Sequence, residues 1–316
     1  MTDREALGAP PPDAVARLVL PAGFRWDDVR VFHGRDVQAV AEQATAEHVR
    51  KGLMWRGRPA CLILRRRGRR LQAWLDVDVD AAPGQASEEA VRDGALRLAR
   101  HLLGLDQSIE AFELVHRAHP ALGPVLARQR GLRVPQSASL FEALSWAIIG
   151  QQISVAAAVS VRRRFILQVD ARHPSGLWCY PDAGQVARLT PEQLRGCGFS
   201  LAKADTLLRV ADAVAGGELA LPAVGEAAAF DAAHLAAALA RIKGIGPWTV
   251  HYTLLRGAAH LDGSLHGDVV VRRGIQRLLG GTEPVTEAQA QQWLAAFAPW
   301  RALVAAHLWA SQSKAA

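Results

Sequence analysis

A chain of 316 residues, half of them hydrophobic, has room for two or three compact units with substantial cores. Its formal charge of +7 rests on arginine, since Lys51, Lys203, Lys243 and Lys314 are the only lysines, and such a balance favours a polyanionic partner without proving one. Cys61, Cys179 and Cys197 are odd in number and irregularly spaced, which argues for reduced thiols and against a disulfide framework or a cysteine metal cluster.

Residues 1–13, with Pro10, Pro11 and Pro12, read as a tail, and their acidic, proline-rich character is not that of a secretory leader. No apolar run approaches the ~18 residues of a membrane span, so no membrane partner is expected. Residues 14–105 read as an α+β antiparallel sheet domain. Leu18–Leu20 is a short apolar run. His48–Trp55, Ala60–Leu64 and Leu71–Val77 are three strand candidates, separated by turns at 56–59 and at the arginine-rich 65–70 around Gly68. Val37–Thr45 is taken as the helix within this meander, and Glu88–Leu103 as the helix that follows it.

After Asp106 the pattern becomes helical, with one domain expected over 106–230 and a second over 231–316. Ser139 with Glu142, Thr190 with Gln193 and Thr286 with Gln289 match the capping box, in which side chains satisfy orphan N–H groups. Gln151 and Gln152 follow the helix that begins at Ser139, either as loop-capping amides or as groups that reach a partner. Arg162–Arg164 and the 65–70 cluster are either solvated or phosphate-contacting. Asp231 opens an alanine-rich helix to Ile242. Lys243-Gly244-Ile245-Gly246 then forms a hairpin, and Pro247 opens the next helix, where its missing N–H costs nothing. Gly244 and Gly246 permit positive φ and leave backbone N–H groups uncovered at the positive end of a helix, a small anion site. An ordinary helix–turn–helix connection would look the same in isolation.

Asp268 stands 20 residues beyond Trp248, directly before the apolar run Val269–Val271. It reads as a helix N-cap, as a functional acid, or as both. Trp248 and Tyr252 are four apart and share a helical face, whether for packing or for stacking on a ligand.

The hairpin, Asp268, the segment Ala147-Ile148-Ile149-Gly150-Gln151-Gln152-Ile153-Ser154 and Trp309 together resemble the helix-hairpin-helix DNA glycosylase superfamily. Gly-Ile-Gly-Pro-Trp-Thr, Tyr252, Leu255-Arg256-Gly257, Pro299-Trp300-Arg301 and His307-Leu308-Trp309 match its DNA-3-methyladenine glycosylase II branch in order, over about residues 106 to 312. The resemblance implies an N-terminal sheet domain followed by an all-α helix-hairpin-helix core of two helical lobes. It also implies a bacterial, cytoplasmic, nucleoid-associated monomer that acts on damaged double-stranded DNA.

By the same resemblance Asp268 is the catalytic aspartate, and Trp248, Tyr252 and Trp309 form the base pocket, with Trp146 and His266 at its border. Lys243, Gly244, Ile245, Gly246 and Arg273 contact the DNA backbone, and Gln151 and Gln152 fill the gap left by a flipped nucleotide, Gln152 as the wedge. Strand-nicking members carry a lysine where this chain has Trp248, so an uncut abasic product is implied. No iron–sulfur spacing follows Asp268, and no cofactor is expected beyond a monovalent cation at the hairpin. Two alternatives stay open: a glycosylase for deaminated or oxidised bases, and a non-catalytic DNA-binding module.

Overall fold

The computed structural model describes residues 15–78, 87–224 and 231–312. The expected tail at 1–13 lies outside them. Strands β1 (Ala16–Val19), β2 (Glu42–Ala44), β3 (His48–Trp55), β4 (Arg58–Arg67) and β5 (Arg70–Val77) form one antiparallel sheet in the order β1-β5-β4-β3-β2. Helix α1 (Trp26–His33) lies between β1 and β2. Helices follow as α2 (Glu88–Leu102), α3 (Ile109–His116), α4 (Gly123–Arg128), α5 (Leu140–Gly150), α6 (Val155–Val169), α7 (Ala183–Val186), α8 (Pro191–Gly196) and α9 (Leu201–Ala215). The last five are α10 (Ala232–Ala240), α11 (Pro247–Ala258), α12 (Val269–Leu279), α13 (Glu287–Ala295) and α14 (Arg301–Gln312). The sequence reading of a sheet followed by helices is what the structure shows.

One expectation within the sheet is corrected. Val37–Thr45 is not a helix. Asp36 accepts the Gln38 N–H on its carboxylate and the Ala39 N–H on its carbonyl, and the chain then enters β2. Val37, the first residue of that expected helix, is 90% exposed. The helix lies earlier, where Trp26, Val29 and His33 fall on one buried stripe and Asp27 and Asp28 sit in the first turn, a favourable place for negative charge.

The chain divides into two compact units that are discontinuous in sequence: one holds the sheet with Ile149–Ala220, the other Leu103–Ile148 with the segment from Leu221 on. The expected boundaries were contiguous. The difference arises because 171–180 returns to the sheet: Trp178 N–H donates to the Val40 carbonyl and Tyr180 N–H to that of Gly52. Leu177 joins Val15, Cys61, Ile63 and Trp74 in a buried cluster.

Helix α6 is fixed to the same unit by charge. Glu42 is buried between the Lys51 ammonium and the Arg162 guanidinium, the latter at 3.0 Å, with His33 Nδ1 at 3.4 Å. Arg163 grips Asp36 at 2.6 and 2.9 Å, and Arg164 donates to the Cys197 carbonyl at 2.7 Å. The arginines at 162–164, read as solvated or phosphate-contacting, are tied into the fold. Burial by itself would raise the Glu42 carboxyl; Arg162 and Lys51 outweigh it and hold Glu42 well below its ordinary value.

Thr190 at α8 in the first unit and Thr286 at α13 in the second each open their helix with both reciprocal capping-box bonds. Ser139 accepts the Glu142 N–H, and Glu142 reaches the Ala138 N–H. Helices α12 and α14 pack closely because residue 274 is glycine; a Cβ there would lie 3.0 Å from that of Leu308.

Replacing Glu42 with Gln leaves buried cations without their counter-charge, and urea unfolding should show a loss of about 3–5 kcal/mol. Because Glu42 ionises more readily folded than unfolded, its contribution is complete above the ordinary carboxyl value of 4.5 and is lost as pH falls from there through the folded value. The difference between wild type and Glu42→Gln should therefore shrink in acid.

Candidate active site

Three elements of the second unit build the site: the α10–α11 hairpin, the N-terminus of α12 and the last turns of α14. Asp231 accepts the N–H groups of Ala233 and His234 and starts α10. The hairpin turns through Gly244 at φ 97°, a conformation that favours glycine. Gly246 does not use positive φ. It is the extended N-cap of α11, at φ −91°, and a Cβ there would meet nothing within 4 Å. Ile245 anchors the turn: its side chain is buried and its N–H donates to the Ile242 carbonyl at 3.0 Å. The exposed hairpin surface is therefore Lys243, Gly244 and Gly246, with Pro247 opening the helix. The cation implied here would take backbone carbonyls. Among the described residues no group of three or more His, Cys, Asp or Glu side chains forms a metal site.

Asp268 is the N-cap of α12 and more. Its Oδ1 accepts the N–H groups of Val270 and Val271 at 2.8 and 3.0 Å. The same carboxylate accepts the indole N–H of Trp248 on Oδ2 at 2.9 Å and that of Trp309 on Oδ1 at 3.3 Å. Two backbone amides and two indoles thus fix its orientation while it stays half-exposed. The loop before it is latched to α14: Asp262 takes Arg301 in a fork at 2.8 and 3.0 Å, and Ala302 N–H donates to the Leu261 carbonyl.

The aromatic side chains meet around that acid. Trp248 and Tyr252 stack with centroids 5.1 Å apart, and Tyr252 lies 6.0 Å from Trp309. The Tyr252 hydroxyl accepts the Trp146 indole N–H at 2.8 Å, which places Trp146 in the same cluster. Arg256, of the Leu-Arg-Gly motif, donates to the Pro135 carbonyl and holds its guanidinium 5.6 Å from the Trp309 ring. His266 meets Ser264 at 2.9 Å. Burial, with Arg301 and His266 nearby, lowers the His251 imidazole from its ordinary value.

Sequence reasoning named four side chains, Asp268, Trp248, Tyr252 and Trp309, that the structure brings together. It missed that the two indoles hold the acid through their N–H edges, and it missed the Asp262–Arg301 latch, for which no local pattern exists. Arg273 is exposed on α12, on the turn after the acid. Gln151 and Gln152 belong to the first unit, in the turn between α5 and α6. Gln152 is exposed at φ 56°, a conformation uncommon for a residue with a Cβ. The lysines are disposed as follows. Lys51 is buried against Glu42, Lys203 donates to the Ile149 carbonyl at 2.8 Å, and Lys243 is on the hairpin; Lys314 lies outside the described residues.

Residues 145–299 match the family described as HhH-GPD superfamily base excision DNA repair protein. The Bacillus subtilis DNA-3-methyladenine glycosylase is 28% identical over 70% of this chain and 73% of its own length. Escherichia coli DNA-3-methyladenine glycosylase 2 is 31% identical over 60% of this chain and 64% of its own. The solved 3-methyladenine DNA-glycosylase from Archaeoglobus fulgidus shares the fold, with a TM-score of 0.74 over 93% of this chain and 96% of that one at 21% identity. The family match and these relatives support placing the chain in the helix-hairpin-helix superfamily of base excision DNA repair proteins, in its alkylbase DNA glycosylase branch.

Proposed function

We propose that the protein is a monomeric, monofunctional glycosylase that removes alkylated purines of the 3-methyladenine and 7-methylguanine type from duplex DNA by water attack, leaving an abasic site in an uncut strand. The observation that carries this reading is a single carboxylate, Asp268, oriented by the indoles of Trp248 and Trp309 at the edge of a stacked aromatic cluster.

Breaking an N-glycosidic bond builds positive charge on the sugar. A carboxylate about 4 Å from that charge contributes roughly 4 kcal/mol at an effective dielectric near 20. The same oxygens can orient the attacking water and take its proton. An N3- or N7-alkylated purine is cationic before cleavage and leaves neutral, so the reaction needs no strong general acid. Its charge also favours stacking on indole and phenol faces. The position of Trp248 offers no amine for a Schiff base, and Lys203 and Lys51 are engaged elsewhere.

The hairpin supplies a grip without sequence preference: Gly244 and Gly246 let a phosphodiester approach the backbone at the N-terminus of α11, with Lys243 and Arg273 as flanking cations. Gln152, on its exposed turn, is assigned to the gap left by the extruded nucleotide, which offsets part of the unstacking cost.

Asp268→Asn keeps an N-cap residue, so the variant should fold and bind duplex DNA while single-turnover base release falls by about a thousandfold or more. Retained activity would remove Asp268 from the chemistry. Trp248→Phe keeps a ring and loses the N–H bond to a charged group, worth about 1.5–3 kcal/mol; excision of every base should fall roughly ten- to a hundredfold. Trp248→Ala should in addition lower the ratio of 7-methylguanine to hypoxanthine excision by about two- to thirtyfold, the range expected for lost cation–π stacking. Incubation with methylated DNA, with mass detection of released bases and gel analysis of the strand, should show methylated purines released and no nick before alkaline treatment.

A further inference from the structure

The sheet carries an arginine face that neither the fold nor the site above accounts for. In the β4–β5 ladder Arg67 pairs directly with Arg70 and Arg65 with Gln72, while on the other side of β5 Arg17 of β1 pairs with the same Gln72. Directly paired residues share a face of the pleat, and the face alternates along a strand. Arg17, Arg65, Arg67 and Arg70 therefore lie on one face at one end of three adjacent strands.

Arg17, Arg67 and Arg70 are exposed, and Arg65 is half-buried with its guanidinium on Gln72 at 3.0 and 3.2 Å. Arg69, in the turn between the strands, donates to the Leu20 carbonyl at 2.9 Å and ties the tip to the end of β1. Among the described residues, acids of the neighbouring segments are few or taken: Asp27 is bound by Arg30 and Asp28 by Arg25, and the β2–β3 turn contributes Glu47. Like charges directly opposite each other on a ladder are destabilising. The Arg67–Arg70 pair thus works against the sheet unless an anion lies across it. Guanidinium forks match phosphate oxygens in pairs, and a row of them suits a repeating phosphate chain.

We propose that Arg17, Arg65, Arg67 and Arg70 form a surface for the DNA phosphate backbone in addition to the hairpin. This rests on the reading of the protein as a DNA-binding glycosylase. It gives the N-terminal sheet a role in holding undamaged duplex, through charge and without base readout.

The test measures affinity of the full chain for an undamaged duplex across a salt titration. If Arg67 and Arg70 each neutralise one phosphate, Arg67→Gln with Arg70→Gln should make the slope of log K against log salt shallower by about 1.8, at about 0.9 per contact. Arg67→Lys with Arg70→Lys keeps the charge and should keep the wild-type slope. Without DNA, the glutamine variant should melt no lower than wild type, because the like-charge pair is relieved. A glutamine variant with an unchanged slope, or a lysine variant that falls with it, overturns the proposal. So does loss of heparin or anionic-vesicle binding in the glutamine variant with the DNA slope intact, which would assign the face to another polyanion. Wild-type protein that shows no salt-dependent duplex binding would instead sink the glycosylase reading itself.

Discussion

The site depends on one carboxylate being held still. Asp268 receives two backbone amides from the first turn of α12 and two indole N–H groups, from Trp248 on α11 and Trp309 on α14. The contacts come from three helices, α11, α12 and α14, so the second unit must fold before the acid has a direction. The Gly274–Leu308 approach brings α12 against α14, and the Asp262–Arg301 fork fixes the loop that delivers the acid. Preorganised charge of this kind costs nothing at the moment of reaction, so under the proposed function a small set of groups would suffice for a leaving group that needs little help.

The two units carry different kinds of interaction. In the second, polar groups converge on a surface where a partner can reach them. In the first, charges are turned inward: Glu42 with Lys51 and Arg162, and Asp36 with Arg163. Buried pairs of this sort add little net stability over an apolar equivalent, yet they are costly to break, and here they join α6 to the β2–β3 edge. Arg67 and Arg70 at the β4–β5 tip are the contrast, exposed on the same unit.

Legibility in the sequence followed the range of the interaction. Strands β3, β4 and β5, the capping boxes and the Gly-x-Gly hairpin were readable because period, cap and turn chemistry are local. The Val37–Thr45 helix was misplaced because Val37 is apolar by type and exposed in fact, and the real stripe at Trp26, Val29 and His33 is only three residues wide. The domain boundaries differed because 171–180 pairs back onto the sheet, a contact that no window on the sequence contains. At the site, residue types announced the acid and the rings. The orientation of two indole edges toward one carboxylate was not readable, since it depends on three helices meeting.

Those indole tethers couple the aromatic cluster to its acid. An indole that shifted outward would pull the carboxylate with it or release it, so under the proposed function the room for a base and the reactivity of the acid would not be tuned separately from α11 or α14. Under that reading, diversification of what such a scaffold accepts would be steered to groups outside the tethers, such as the loop in which Ser264 and His266 meet.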